Sequence, residues 1–286
     1  MNDAFDDLGD FLRSRRSRLQ PEDVGLPDFG RRRRVPGLRR EEVAQLAGVS
    51  VDYYIRLEQG RGQSVSDSVL DAVARVLRLN PTEHEHLRTL ARPARAAERA
   101  GRSGSRQVVR PEVQALLDLM AAPAFLLGRC MDVLAWNALG DALYGFASFP
   151  PGERNMARHA FLDPDGSAIY AEWESVVSET VAYLRLDAAR HPGDPRIASF
   201  IDELSDRSPE FRRLWAEYDV KEKTFGVKRI NHPVAGPLEL AYETLALPGD
   251  ADQLVVSFQP VPSSPYVGNL ALLGAGVSSA QALVDA

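Results

Sequence analysis

The amino-acid sequence predicts two domains, an all-α N-terminal domain of about five helices and an α+β C-terminal domain. A length of 286 residues suits two domains. The charge also divides the chain, because residues 1–110 carry a formal net charge of +5 and residues 111–286 carry −11. Apolar residues recur at helical spacing in the first part, whereas the second part mixes helical spacing with short apolar runs typical of strands.

The N-terminal domain, residues 1–92, contains helices that apolar periodicity and capping residues predict. The first spans residues 5–18, and the second and third lie within residues 39–60. Ser66 caps a fourth helix and Pro81 opens a fifth. About twenty residues separate the first two helices, which is long for a helical domain.

Residues 39–60 form the most informative segment, since they read as a helix, a tight turn and a second helix. Gly48 falls where the chain must turn sharply, often with positive φ. Ser50 is a suitable N-cap for the second helix. Tyr54 and Leu57 are three residues apart and therefore share the inward face of that helix. The pattern predicts a helix-turn-helix that reads double-stranded DNA.

Three stretches resemble the MmyB-like transcriptional regulators. Residues 35–44 read Val-Pro-Gly-Leu-Arg-Arg-Glu-Glu-Val-Ala, and residues 56–61 read Arg-Leu-Glu-Gln-Gly-Arg. Residues 232–240 read His-Pro-Val-Ala-Gly-Pro-Leu-Glu-Leu, where that family tends to carry His-Pro-x-x-Gly-x-Leu-x-Leu. The resemblance covers residues 5–262. It implies a DNA-binding domain of the phage-repressor or xenobiotic-response-element (XRE) type joined to a PAS-like ligand-binding domain.

The start of the second helix departs from the repressor pattern. Arg39 and Arg40 stand where such domains usually carry Ser or Thr and then Gln, so the side-chain cap is missing. Two glutamates in the first turn partly compensate, because negative charge is favourable at a helix N-terminus. Arg16 and Glu58 resemble the ion pair that joins the first and third helices in these domains.

The resemblance places the base-reading residues one, two and six positions after the cap, at Val51, Asp52 and Arg56. The Arg56 guanidinium can bond guanine O6 and N7 together, or alternatively contact a phosphate. Asp52 can accept from cytosine N4 or interact with the helix dipole instead. Tyr53 is expected to contact phosphate or sugar. The predicted DNA-binding residues are Arg31, Arg32, Arg33, Arg34, Arg39, Arg40, Ser50, Val51, Asp52, Tyr53 and Arg56.

The basic residues of this set are predicted to bind the DNA backbone. Arg39 and Arg40 lie at a helix N-terminus, where their charge is unfavourable unless a phosphate lies nearby. Residues 31–34 either enter a minor groove as a basic arm or remain in a solvated loop. Residues 93–110 read as a linker of small, polar and basic residues.

The C-terminal domain, residues 111–262, is predicted as two strands, several helices and three strands, an order that fits a PAS-like domain. Its predicted strands are residues 124–127, 131–136, 227–230, 238–246 and 254–258. Its predicted helices are residues 113–120, 138–144 after the cap at Asn137, 167–190, 194–205 and 208–218. The tail, residues 263–286, is small and apolar, and it could dock as a helix, mediate a subunit contact or be disordered.

Large apolar residues are frequent in the C-terminal domain, and most of them should fill its core. PAS-like domains often enclose a small-molecule cavity, and the MmyB-like resemblance implies an elongated, lipophilic ligand such as a fatty acid. A carboxylate on that ligand would pair with Arg229 or Lys228. The predicted ligand-binding residues are Phe125, Trp136, Trp173, Val177, Phe200, Arg229 and Tyr242.

Nothing in the sequence supports catalysis, a metal or a cofactor. His84 and His86 lie two apart on a helix and therefore point to different faces, which is poor geometry for a metal. Cys130 has no recognisable histidine partner, and no Gly-rich phosphate-binding loop is present. The MmyB-like resemblance implies the same, a regulator and not an enzyme.

Three functional hypotheses remain open. The first is a ligand-responsive transcriptional regulator that binds a palindromic operator as a homodimer. In the second, the C-terminal domain only dimerises or recruits a protein. The third is a haem or flavin sensor with His159 or His232 as a ligand. The chain has no apolar run of about 18 residues and an acidic N-terminus unlike a signal peptide, so a cytoplasmic protein without membrane contact is expected.

Overall fold

The computed structural model describes residues 4–27, 37–60, 65–93, 107–164 and 166–274. Residues 31–34, most of the predicted linker and the tail from residue 275 lie outside the described residues. None of the described helices is long and apolar enough to cross a membrane.

The chain divides into two compact units. The first unit comprises residues 1–103, 185–194 and 214–222, and the second comprises residues 104–184, 195–213 and 223–286. The first unit thus includes two segments from the region that the sequence assigns to the C-terminal domain. These segments contribute Leu186 and Val220 to a core that also contains Phe11, Leu12 and Tyr54.

Five α-helices form the N-terminal part of the first unit, as predicted. They are α1 (Ala4–Ser17), α2 (Arg40–Ala47), α3 (Val51–Glu58), α4 (Asp67–Val76) and α5 (Pro81–Ala91), with a 3-10 turn at Pro21–Val24. Ser50, Ser66 and Asn80 each cap a helix by accepting a backbone N–H bond with the side chain. Helices α3, α4 and α5 begin at a side-chain cap, and all five helices bury an apolar face, so the sequence located them well.

The remaining elements confirm the α+β expectation. The helices are α6 (Pro111–Leu119), α7 (Ala138–Tyr144), α8 (Met156–Phe161), α9 (Gly166–Ile169), α10 (Trp173–Arg190), α11 (Pro195–Arg207) and α12 (Pro209–Trp215). The strands are β1 (Ala124–Leu127), β2 (Val133–Trp136), β3 (Phe225–His232), β4 (Gly236–Leu247) and β5 (Asp250–Pro260). The strands form one antiparallel sheet in the order β2-β1-β5-β4-β3.

Several local features differ from the prediction. The predicted helix 167–190 is divided into α9 and α10, with Tyr170 between them in a β-bridge to Ile230. Helix α8 was not predicted, although Asn155 caps it by accepting from the backbone N–H groups of Ala157 and Arg158. Strand β2 starts two residues later than expected, because residues 129–131 form a 3-10 turn in which Cys130 and Met131 have φ values of 55° and 64°. Positive φ in two successive residues cannot continue a strand.

The two faces of the sheet have different packing. Val113 and Leu117 of α6 pack with Val255 of β5 on one face. On the other face, Phe125 of β1 and Phe258 of β5 join an aromatic cluster. Side chains of a strand alternate between faces, so β5 contributes to both. The aromatic face is where the larger side chains leave a cavity.

Candidate DNA interface and ligand pocket

The turn between α2 and α3 has the geometry that the sequence predicts. Gly48 ends α2 with φ 68°, and the Val49 N–H donates to the Ala44 carbonyl at 3.0 Å. The Ser50 hydroxyl then accepts from the Tyr53 N–H at 3.2 Å. Tyr54, on the inward face of α3, is fully buried, and burial raises the pKa of its phenol. The back of the helix is therefore fixed while its front remains exposed.

A buried carboxylate joins three helices of this region. Both oxygens of Glu58 accept from the Arg16 guanidinium, at 3.1 and 3.3 Å, which confirms the expected ion pair. Arg40 also donates to Glu58 Oε1, at 2.9 and 3.0 Å. Arg16 further donates to the Leu38 carbonyl at 2.6 Å. Because the Glu58 side chain has no exposed surface, these bonds replace all of its hydration.

The three predicted base readers lie on the exposed part of α3. Val51 is 41% exposed, and Asp52 and Arg56 are exposed as well, while Tyr53 is half-buried. Arg56 Nε donates to the Asp52 carbonyl at 3.3 Å. That bond uses one of the five guanidinium donors, so the fork that suits a guanine edge is still available. Base reading by these residues stays a prediction.

The predicted phosphate contacts have different local structures. Arg39 N-caps α2, and its backbone N–H donates to Glu42 Oε2 at 2.7 Å, which supplies the half of a capping box that the sequence retains. The Arg40 side chain is 43% exposed although it is bonded to Glu58, which raises the pKa of its guanidinium. Contact of either arginine with phosphate stays a prediction, and residues 31–34 are outside the described residues.

The predicted ligand-binding residues do not line one cavity. Phe125 and Tyr242 line a cavity of about 30 Å³ on the aromatic face of the sheet, here called the aromatic pocket. Phe200 instead lines an open cleft of about 920 Å³ beside Arg154, Arg158 and other polar residues. The aromatic pocket is lined by Phe125, Met131, Tyr144, Met156, Tyr170, Val176, Glu179, Thr180, Lys223, Lys228, Tyr242, Val256 and Phe258.

The other four predicted ligand residues are not among those lining these two cavities. Trp136 packs under the Arg154 guanidinium at 4.9 Å, and Trp173 Nε1 donates to the Ala160 carbonyl at 2.9 Å. Val177 is completely buried. Arg229 is exposed and pairs with Glu172 and Glu239, because it points to the outer face of β3. These positions suit structural roles.

Polar groups at the aromatic pocket were only partly predicted. Lys228 Nζ lies 2.6 Å from Glu179 Oε2, while the Lys223 amine makes no hydrogen bond or salt bridge within the described part of the chain. Both ammonium groups lie near the Tyr242 ring, at 5.8 Å for Lys223 and 5.5 Å for Lys228. Burial, and secondarily the Lys228 charge, lowers the pKa of Lys223 to about 8. The pocket therefore holds two amines and one carboxylate.

Two tyrosines form the far wall of the aromatic pocket. Tyr144 and Tyr170 are buried and hydrogen-bonded to each other, and burial raises the pKa of both phenols. Phe125 contacts the Tyr144 ring edge-on at a centroid distance of 5.8 Å. Neutral hydroxyls within an aromatic wall favour a ligand that is mainly apolar.

Comparison with known families now identifies the chain. Residues 109–273 match the MmyB-like transcription regulator ligand binding domain, which is more than half of the chain. The chain belongs to this family. Residues 7–87 match a helix-turn-helix domain. It is therefore a DNA-binding transcription regulator with a ligand-binding domain. No curated protein matches the chain.

Both matched families are of the regulator type, which agrees with the absence of a predicted catalytic motif. Among the described residues, no group of three or more His, Cys, Asp or Glu side chains could hold a metal ion. His232 uses both ring nitrogens, since Nδ1 accepts from the N–H groups of Val234 and Ala235 and Nε2 lies 3.0 Å from the Ala142 carbonyl. This histidine holds the turn after β3 and has no free nitrogen for a haem iron.

Proposed function

We propose that this regulator binds a palindromic operator as a homodimer and responds to a fatty-acid-like ligand in the aromatic pocket. One observation carries the ligand part of the proposal: the pocket has apolar walls, but it contains the ammonium groups of Lys223 and Lys228 against the single carboxylate of Glu179. A buried charge without a partner is unfavourable, so a ligand carboxylate would be stabilised beside the surplus cation.

Entry of an acyl chain requires the pocket to enlarge. Its volume of about 30 Å³ is enough for about two water molecules, not for a long chain. Met131 and Met156 line it, and methionine side chains change rotamer and repack more readily than branched or aromatic ones. We infer that the acyl chain of the ligand displaces the Met131 and Met156 side chains, while the ligand carboxylate remains near Lys223 and Lys228.

A pair of matched ligands tests this proposal with the full-length protein. Tetradecanoic acid should bind at least about tenfold more tightly than tetradecanol in calorimetry, because a single charge-assisted hydrogen bond is worth about 1.5–3 kcal/mol. Lys228→Met should reduce that preference, and Lys221→Met is the matched control outside the pocket. Equal binding of acid and alcohol, or no binding of either, would leave dimerisation or recruitment as the role of the second unit.

The ligand should also change DNA affinity. A ligand shifts an equilibrium only if it binds the two states of the regulator with different affinities. We expect tetradecanoic acid to alter binding of the full-length dimer to its operator, measured by fluorescence anisotropy. A ligand that binds tightly without changing DNA affinity would separate the pocket from regulation.

The dimer proposal follows from the DNA side. One helix-turn-helix reads only a few base pairs, and two-fold symmetry doubles the site, with half-sites about 34–36 Å apart or a multiple of that distance. Footprinting on the promoter region of the protein's own gene should show two symmetric protected segments. Protection of one asymmetric half-site by a monomer would contradict the proposal. A cytoplasmic location is part of the same expectation.

An exposed apolar surface supports self-association. Phe225, Val227 and Leu245 share the outer face of β3 and β4, and they are 71%, 51% and 54% exposed. Phe225→Asp should weaken the dimer in sedimentation velocity, whereas Val234→Asp, at an 82% exposed position in the β3–β4 turn, should not. Equal behaviour of the two variants would place the dimer contact elsewhere.

A further inference from the structure

The distribution of lysine in this chain is unusual. The sequence has 34 basic residues, of which 31 are arginine and only three are lysine, at positions 221, 223 and 228. Two of these three line the aromatic pocket. Arginine and lysine carry the same charge, but only the lysine amine loses its proton at accessible pH and then becomes a nucleophile. The pocket therefore concentrates the one cationic side chain that can form a covalent bond.

Lys223 and Lys228 differ in their surroundings. Lys228 is neutralised by Glu179 at 2.6 Å. The neighbours of the Lys223 amine are the Tyr242 ring, the Lys228 charge and, beyond hydrogen-bonding distance, the Glu179 carboxylate, and the amine makes no hydrogen bond or salt bridge among the described residues. An amine in an apolar pocket beside another cation is the arrangement that activates lysine toward carbonyl groups. Desolvation first and the Lys228 charge second lower the pKa of Lys223 to about 8, so about a tenth of the amine is neutral at pH 7 and a larger fraction at pH 7.5.

We propose that the Lys223 amine captures an apolar aldehyde as a reversible imine inside the aromatic pocket. The cavity of about 30 Å³ has room for the two heavy atoms of a formyl group, and the alkyl chain of the aldehyde requires the same displacement of Met131 and Met156 as the acyl chain of a fatty acid. The aromatic walls suit the apolar chain of such a ligand, and the inference rests on the proposed function only in taking this pocket as the ligand site.

The reaction is balanced without an oxidant or a reductant. The lone pair of the neutral amine forms a bond to the carbonyl carbon, and the resulting carbinolamine loses its oxygen as water. Both hydrogens of that water come from the amine nitrogen during the overall reaction. The C=O bond is replaced by a C=N bond, and hydrolysis reverses the step. The Lys228 ammonium, held near by Glu179, can donate the proton that the departing oxygen needs.

Reductive trapping tests the proposal on the full-length protein. We would incubate it with decanal and sodium cyanoborohydride at about pH 7.5, where an ordinary lysine is almost fully protonated. Peptide mapping by mass spectrometry should show the decyl group on Lys223 at least about tenfold faster than on Lys221, which is exposed. Decanoic acid, which has no reactive carbonyl, should protect Lys223 by occupying the pocket.

Variants and a pH series make the result decisive. Lys223→Arg should abolish the rapid adduct, whereas Lys221→Arg should retain it. In the wild-type protein, labelling of Lys223 should reach its half-maximal rate near pH 8, which requires no variant to fold. Labelling of Lys221, Lys228 or the N-terminal amine at the same rate as Lys223, or no adduct at all, would overturn the proposal.

The outcome for the imine is distinguishable from the outcome for the proposed function. Preferential binding of tetradecanoic acid without a rapid decanal adduct would support the carboxylate ligand and reject the imine. A rapid adduct on Lys223 without any change in DNA affinity would support the imine and reject regulation through this pocket.

Discussion

Each of the two units contains a charge cluster in which cations outnumber a single carboxylate, but the two clusters differ in how well that excess charge is solvated. In the first unit, Arg16 and Arg40 surround the Glu58 carboxylate, and both of its oxygens accept hydrogen bonds. In the second unit, Lys223 and Lys228 lie near the Glu179 carboxylate, but only Lys228 is bonded to it. Arg13 Nε also lies 3.9 Å from Glu58 Oε1, so three cations surround that carboxylate, whereas two cations line the pocket with Glu179. In both clusters the cations outnumber the carboxylate.

The difference lies in where the surplus cation points. Arg40 is 43% exposed, so water can solvate it, and the Glu58 cluster therefore needs nothing else. The Lys223 amine is inside a pocket with aromatic walls, where its positive charge is poorly solvated. A complete cluster indicates a structural role, while an incomplete buried cluster indicates a site for a ligand.

The largest expected change in stability comes from a substitution in the Glu58 cluster. Among the described residues, Glu58→Ala removes the only carboxylate within hydrogen-bonding distance of Arg16, which is 8% exposed. An isolated buried charge typically costs about 3–5 kcal/mol, so we expect a loss of that size in the free energy of unfolding. Denaturant unfolding and hydrogen exchange of the α3 amides would measure it.

Glu41→Ala is the matched control for this variant. Glu41 is in the first turn of α2 and its side chain is 61% exposed, so its removal should change the unfolding free energy by about 0.5 kcal/mol or less. Similar losses for Glu41→Ala and Glu58→Ala would show that the Glu58 cluster is not the main stabilising contact.

The second prediction concerns the cluster of Lys223, Lys228 and Glu179, where a substitution should raise the free energy of unfolding and not lower it. Lys223→Met removes a cation whose pKa falls from 10.5 to about 8 in the folded protein. At pH 7 the lysine is protonated in both states, and the folded state bears a penalty of about 3 kcal/mol. The variant should therefore be more stable than the wild type at pH 7 by up to about this amount in denaturant unfolding.

The pH dependence tests the cause of that gain. Between pH 8 and pH 10.5 the unfolded wild type binds more protons than the folded form, so wild-type stability rises with pH in this window. The advantage of Lys223→Met should shrink across it, whereas Lys221→Met should show no such change. A gain that is independent of pH would attribute the effect to packing and not to charge.

These two clusters also show what the sequence could predict. The Arg16–Glu58 pair was predicted from the resemblance to repressor-type domains, and helices α1–α5 follow from caps and apolar periodicity. Lys223 lies just before strand β3, and Glu179 lies in helix α10, 44 positions earlier in the sequence. Only the tertiary fold therefore brings the two side chains together. Helix α8, six residues long, was missed because it is too short for apolar periodicity to indicate it.

The predicted ligand residues show the same limit. Aromatic composition predicted a cavity in the second unit, and Phe125 and Tyr242 do line one. Composition could not separate them from Trp136 and Trp173, whose rings pack elsewhere, because the direction of a side chain depends on strand register and helix rotation. Arg229 and Lys228 are adjacent in β3 and therefore point to opposite faces, so Lys228 lines the aromatic pocket and Arg229 does not.

The third prediction compares Arg56, which is exposed and predicted to read a base, with Arg40, which is bonded to Glu58. Arg56→Ala should cost about 1–3 kcal/mol of binding to the operator and relax the preference at one base pair, while stability changes by about 0.5 kcal/mol or less. Arg40→Ala should instead lower both stability and affinity, because this guanidinium bonds to Glu58. Fluorescence anisotropy on operator and random DNA would separate the two. Equal losses on both sequences for Arg56→Ala would assign Arg56 to the phosphate backbone.

The smallest expected effect on stability comes from Gly226→Ala, which tests whether the Tyr242 ring shapes the pocket around Lys223 and Lys228. Gly226 pairs with Tyr242 across β3 and β4, and a Cβ at residue 226 would lie 2.9 Å from Tyr242 Cε1 and 3.0 Å from its hydroxyl oxygen. The ring must then shift, at a cost of about 0.5–1.5 kcal/mol, whereas replacing a strand glycine by alanine gains about 0.5–1 kcal/mol. Gly226→Ala should therefore change the unfolding free energy by about 1 kcal/mol or less.

The same variant should affect the pocket strongly, because the Tyr242 ring lies near both lysine amines. We expect decanal labelling of Lys223 and binding of tetradecanoic acid to weaken several-fold while the protein remains folded. Gly249→Ala is the matched control, since a Cβ at residue 249 meets no atom within 4 Å. If labelling and binding are unchanged in Gly226→Ala, the Tyr242 ring does not shape the ligand site, and the lysines must be reached from another side of the pocket.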